Sequence, residues 1–358
     1  MNNNTTRNFG LDLFRALAIV LVVLSHGKFL LNGTVLENFP FVKILDGVDL
    51  FFVLSGFLIG GILLRTMSEG MNWRDVAHFW KRRWLRTLPN YYLILLLNFI
   101  FVSYGIISGD LNAFGWKFIV FLQNFSKPLI GFFWESWSLA VEEWFYIFTP
   151  IMLWGLLKVL RLKWAYLIAT LLMIAIPFIY RAYSFDPTLD DFWFDVQVRK
   201  IVVFRLDAIA FGLLLAWAYS FYKNLWDKWK NVALVLGLAI VLFLLNNGAS
   251  NTTFYRQVFY FSITPLAIAL ILPWFEGITS SWKRLVAAVT HISKISYSMY
   301  LINLALVAQV IGLNFPVQGN ADGVMKYVAY WFIVISVSSA LYYFVERPIL
   351  RWRDYASR

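Results

Sequence analysis

The sequence predicts an all-α fold: a polytopic bundle of about ten transmembrane helices with both termini cytoplasmic. Three observations predict it. First, 60% of the 358 residues are hydrophobic and only 14% are charged, with a mean hydropathy of +0.67. Soluble domains run about 45–50% apolar and about 25% charged, and this composition cannot supply the polar skin a soluble globule needs. Second, a span takes about 20 mostly apolar residues, so about ten spans use nearly the whole apolar stock. Third, Lys and Arg divide about 20 to 9 between alternate sides of successive apolar runs. That asymmetry marks cytoplasmic loops, and it places both ends of the chain inside.

The runs lie at 11–31, 47–64, 89–107, 137–157, 164–180, 201–221, 231–246, 257–275, 295–313 and 326–345. The stretch MNNNTTR precedes the first run without a small-residue cleavage site, so that run reads as a retained span and not as a signal peptide. The second run, in GVDLFFVLSGFLIGG, carries Gly56, Gly60 and Gly61, which permit close helix approach. The third follows the basic segment Lys81-Arg82-Arg83-Trp84-Leu85-Arg86. The seventh is the shortest, at 16 residues. No linker, repeat or low-complexity tract divides the chain, so 1–358 reads as a single membrane domain with no separate soluble domain.

Cysteine is absent, which excludes disulfides, thiolate zinc sites and a cysteine nucleophile. His26, His78 and His291 are scattered, so no metal site is expected. The net charge of +11 is accounted for by cytoplasmic loops and needs no nucleic acid partner. Aromatics at 19% suit rings seated at the headgroup level of a bilayer.

An ionisable side chain inside a span costs roughly 2.5–3.5 kcal/mol on insertion scales, so each is a functional candidate. Arg15 and His26 share the first span. Eleven residues at about 100° each make three turns plus about 20°, so both lie on one helix face, about 16 Å apart. The plainer alternative is two unrelated polar residues reaching for opposite interfaces. Glu142 and Glu143 open the fourth span at the expected depth of His26, and adjacent positions diverge by about 100°, so only one can face a given target. A carboxylate bonded to imidazole would fix its tautomer and raise its basicity; an interfacial carboxylate facing water is the alternative. Asp49 heads the second span, and Ser55 follows it, lining a cavity or bonding its own backbone. Arg205 and Asp207 could pair with each other or with neighbouring helices. Arg82 and Arg86, at i,i+4, share a helix face; with Arg83 they read either as a topology anchor or as a clamp for phosphate oxygens. Trp137, Tyr297, Tyr300 and Asn303 complete the set of substrate-contacting or structural polar positions.

These segments, taken in order, resemble the acyltransferase-3 family of integral membrane acyltransferases. The resemblance rests on Arg15-x10-His26, FFVLSGFLI at 51–59, RRWLRTLPNYY at 82–92, WSLAVEEWFY at 137–146, FRLDAIAFG at 204–212, ISYSMYLIN at 295–303 and FVERP at 344–348. It covers the chain from near residue 11 to near residue 350. It implies ten spans in the bacterial inner membrane and transfer of an acyl group, commonly acetyl, from acetyl-CoA to a hydroxyl of an exported carbohydrate. Lipopolysaccharide O-antigen is the favoured acceptor, free or lipid-linked. His26 would then be the general base, Glu142 its orienting carboxylate with Glu143 as second choice, and Arg15 the holder of the donor's pantetheine or carbonyl. Arg82, Arg83 and Arg86 would hold the phosphates. Two departures stand out. Asn303 occupies a position that is often His in the family, and Asn can hydrogen-bond but not titrate. No hydrolase-like domain follows the tenth run, as in standalone members. A transporter or flippase of a lipid-linked sugar is the rival reading, since intramembrane charges also mark transport paths; related halves, which transporters often show, are not visible here.

Overall fold

A computed structural model of the chain describes residues 7–37, 46–68, 70–247 and 249–355. The stretch MNNNTT, and Lys43 and Arg358 of the charge count, lie outside the described residues. Among those described there are helices and turns but no strands. In chain order the helices are α1 (Phe9–Gly27), α2 (Gly47–Ser68), α3 (Trp73–Ser103), α4 (Ser136–Leu156), α5 (Leu162–Tyr183), the single turn α6 (Asp191–Phe194) and α7 (Val202–Phe221). They continue with α8 (Lys223–Asn246), α9 (Tyr260–Glu276), α10 (Lys283–Ile302), the short α11 (Val310–Asn314), α12 (Asn320–Leu341) and α13 (Arg347–Tyr355).

Nine helical stretches among the described residues are long and apolar enough to cross a membrane. They correspond to nine of the ten apolar runs. The exception is α4, whose 21 residues include Glu142 and Glu143 and which is almost wholly buried in its N-terminal half. At about 1.5 Å per residue it still measures about 31 Å, and its polar content reflects its position inside the bundle. Helix starts differ from expectation where a polar segment leads in. α3 begins at Trp73, not near 89, on a capping box in which Asn72 and Asp75 bond each other's backbone N–H groups. It carries the basic segment and Pro89 within one helix of 31 residues. α8 begins at Lys223, so the shortest apolar run belongs to a helix of 24 residues.

Small residues set the packing of the centre. α2 and α7 approach so closely that a Cβ on Gly56 would lie 2.0 Å from the Ile209 oxygen, and one on Gly212 would lie 2.1 Å from the Val53 oxygen. Gly60 similarly faces the Tyr166 hydroxyl, whereas Gly61 faces open space and has no such packing role. The most apolar window of α2 is 72% buried and that of α8 only 11%, so α2 is a central helix and α8 a peripheral one. The first and last helices are tied to their neighbours by polar contacts: Asn8, before α1, donates to the Glu276 oxygen at the end of α9, and Asp354 of α13 pairs with Arg82 of α3.

Candidate active site

A cavity of about 310 Å³ opens among α1, α2, α3, α4 and α10. Its walls are mostly apolar, with Phe51, Phe52, Leu58, Ile59, Ile62 and Leu139, and four arginines enter it: Arg15, Arg65, Arg83 and Arg86. Binding pockets typically combine apolar walls with a few placed polar groups. Arg65 ends α2, while Arg83 and Arg86 sit one turn apart on α3. Arg65 was not singled out from the sequence, because a cation at a helix end looks like any interfacial anchor.

Arg82 does not join them. It pairs with Asp354 of α13 at 3.3 Å and is 40% exposed. Neighbours on a helix diverge by about 100°, so a face that turns Arg83 and Arg86 inward turns Arg82 outward. Of the three arginines expected together, Arg83 and Arg86, at i,i+3, line the cavity and Arg82 does not.

Arg15 leans from α1 into the cavity, 3.8 Å from Asp12 and 3.4 Å from the Ser293 hydroxyl. Asp12 already receives two bonds from Arg7, at 2.8 and 2.6 Å, so Arg15 keeps donors for a bound molecule. Glu142 lines the cavity, accepting from Ser55 at 3.3 Å and from the Tyr146 hydroxyl at 2.8 Å. Its charge and that of Arg15 act on each other across the space. Glu143 turns away, is buried, and accepts from Thr87 at 2.7 Å. Neither carboxylate bonds His26, and the expected carboxylate–imidazole pair is corrected on that point.

The partner of His26 is Asn303. Near Asn303 helix α10 gives way to a wider π-type segment, Asn303–Gln309; such bulges recur at functional sites. The Asn303 amide donates to the Met299 and Tyr300 carbonyls at 2.9 and 2.8 Å. Both N–H groups are thus used, and the remaining oxygen lies 2.6 Å from His26 Nδ1. An amide oxygen only accepts, so Nδ1 carries the proton and Nε2 presents its lone pair. Asn303 therefore fixes the tautomer a general base needs, the task expected of Glu142.

His26 is half-buried and is not among the lining residues of the cavity. The cavity reaches Ser138 and Tyr300, whose hydroxyls are 2.5 Å apart. The Tyr300 phenol also reaches the Glu135 main-chain oxygen at 3.1 Å. Asn303 follows Tyr300 by one turn of the same helical stretch, and carries the contact to the imidazole. Tyr297 lines the cavity and donates to the Thr87 oxygen at 2.7 Å.

The remaining polar candidates are structural. Arg205 pairs with Asp49, joining α7 to α2, with both side chains buried. Asp207 meets Arg181 at 2.7 Å and Ser262 at 2.8 Å. Arg205 and Asp207 do not pair with each other. Arg181, one residue beyond the fifth apolar run and so grouped with the nine cations of the sparser side, is fully buried in that cluster. Trp137 is buried edge-on to Phe52, with the Arg199 guanidinium 5.4 Å from its ring.

Comparison with known proteins bears on the chemistry. The family profile described as an acyltransferase domain, Acyl_transf_3, matches residues 8–343. The chain belongs to this acyltransferase family. Its relatives include a Staphylococcus aureus protein named "Putative O-acetyltransferase SAR0937", 27% identical over 96% of this chain and 59% of that protein. O-acetyltransferase OatA from the same species is 28% identical over 95% of this chain and 57% of its own length. The Bacillus subtilis protein named "Putative peptidoglycan O-acetyltransferase YrhL" is 27% identical over 95% of this chain and 54% of its own. The chain thus spans a little over half the length of these relatives. No solved structure matches it. The family membership and the nine apolar helices make it a multi-pass membrane acyltransferase domain.

Proposed function

We propose that this chain transfers an acyl group, acetyl above all, from acyl-CoA to a hydroxyl of a cell-surface carbohydrate in a bacterial inner membrane. The observation that carries the reading is the cavity: four arginines enter one apolar-walled space that ends at Tyr300, one helical turn from Asn303, the partner of His26. Planar guanidiniums suit phosphate oxygens, and the apolar walls suit a pantetheine arm. The names of the relatives favour acetyl.

In this reading the arginine-lined end faces the cytoplasm, where acyl-CoA is found. Arg65, Arg83 and Arg86 hold the phosphates at the entrance. Arg15, deeper and charge-balanced by Glu142, holds the arm or the thioester oxygen. The Ser138–Tyr300 pair yields to let the acyl end reach His26. Nε2 then takes the proton of an acceptor hydroxyl as its oxygen attacks the thioester carbon. The carbon–sulfur bond breaks, and the thiolate leaves with the proton from the imidazolium. An O-antigen sugar is the acceptor we carry forward. The relative named for peptidoglycan favours a second reading, a peptidoglycan sugar. Purified protein in lipid nanodiscs should release CoA from acetyl-CoA only when glycan is present, one acetyl ester forming per CoA. Glycan movement across the bilayer with no CoA release would instead make it a transporter.

A further inference from the structure

A second polar surface lies beside His26, outside the arginine-lined cavity. Asp195–Arg199 forms a wide π-type turn. Arg199 bonds Asp195 at 2.7 Å and pairs with Asp46, and Lys200 bonds Asp195 at 2.5 Å. These four side chains stay 13–32% exposed, so their outer lone pairs and protons remain open to a ligand. Burial pushes the Asp195 carboxyl up, but Arg199 and Lys200 outweigh it and hold the group below the usual carboxylate range, so it stays an acceptor. The charges of Asp46, Arg199 and Lys200 all act on the His26 ring.

The aromatic side of this surface is Trp134. Its ring is half-buried, lies 5.0 Å from the Lys200 ammonium and meets Phe192 edge-on at 6.5 Å. Phe192 is itself exposed. The chain is forced into place here, since the preceding Phe133 sits at φ +42°. A side-chain-bearing residue in that region costs about 1–3 kcal/mol and persists only where its surroundings impose it. Behind Trp134, Glu135 is 2% exposed and spends one oxygen on the Ala305 N–H. Its other oxygen, which is buried, has no hydrogen-bond partner among the described residues.

We infer that Asp46, Asp195, Arg199, Lys200, Trp134 and Phe192 form the acceptor subsite and take an uncharged sugar ring. The inference rests on the acyl-transfer reading above and adds the class of acceptor. The face of an aromatic ring receives the C–H groups of a sugar, while paired carboxylates and cations bond its hydroxyls in both directions. Two acids and two bases cancel, so the surface offers no net attraction to an acidic sugar. Glu135, next to Trp134, bonds the Ala305 N–H two residues beyond Asn303, the partner of His26, so this surface and the imidazole share one stretch of backbone.

The test uses the full chain in nanodiscs with acetyl-CoA. The acceptor is surface glycan from cells lacking the gene, separated by anion exchange into neutral and acidic pools. The neutral pool should be acetylated in preference. Trp134→Ala should raise the acceptor KM about tenfold with the donor KM unchanged, and Trp134→Phe should recover most of it. Asp195→Asn with Lys200→Gln should act in the same direction. Preference for the acidic pool, or an unchanged acceptor KM in these variants, overturns the subsite. If wild-type protein acetylates neither pool and leaves acetyl-CoA intact, the acyl-transfer reading itself falls.

Discussion

Two sets of charges cross the apolar interior of this bundle, and they are arranged oppositely. Around α7 each charge meets a charge of opposite sign: Arg205 pairs with Asp49, and Asp207 with Arg181, which Ser262 joins. Arg181 also bonds the Phe204 and Val258 oxygens. Around α1, α3 and α4 the charges face a space instead. Arg15 competes with Arg7 for Asp12, Arg83 and Arg86 line the cavity, and Glu142 rests on two hydroxyls. Both sets carry the same insertion cost. The difference is what repays it: a closed ion pair ties helices together, and an open one awaits a ligand.

That contrast can be broken by substitution. Arg181→Met leaves Asp207 as a buried, uncompensated charge and should cost about 3–5 kcal/mol. Thermal unfolding should show the loss, while the protein that remains folded binds CoA as before. His26→Ala should lower turnover about 10²–10⁴-fold, with melting temperature and CoA affinity unchanged; retained turnover removes the base assignment. Glu142→Gln removes the charge that balances Arg15 and should lower donor kcat/KM about tenfold, roughly the worth of one charged hydrogen bond. Glu143→Gln keeps an oxygen for Thr87 and should leave kcat/KM near wild type, although the two glutamates are adjacent. Arg82→Ala should be smallest, changing the donor KM about twofold or less, because an exposed pair contributes little. A large rise there would return Arg82 to the phosphate site.

The helical class and nine of the spans were legible in the sequence, because apolar runs of spanning length need no tertiary information. Helix starts were not, since α3, α8 and α10 each begin in polar sequence that continues an apolar helix. Within the site, helix arithmetic put Arg15 and His26 on one face, but it could not say what meets that face. The imidazole's partner, Asn303, is 277 positions away, and its orientation depends on its amide turning back onto the Met299 and Tyr300 carbonyls of α10. The same arithmetic put Arg82 with Arg86 on one face and said nothing of Arg83 with Arg86. Only packing against α13 decides which turns inward. Arg181 was misplaced because a cation near a span end is equally suited to water or to a buried acid.

The central claim is that the open arginines hold the donor's phosphates. Equilibrium binding of CoA to the protein in nanodiscs tests it most directly, comparing wild type with the Arg83→Gln/Arg86→Gln double variant across a salt series. The claim predicts affinity at least about tenfold weaker and a flatter dependence on salt, with folding intact. Equal affinity and an equal salt slope in a folded variant would contradict it.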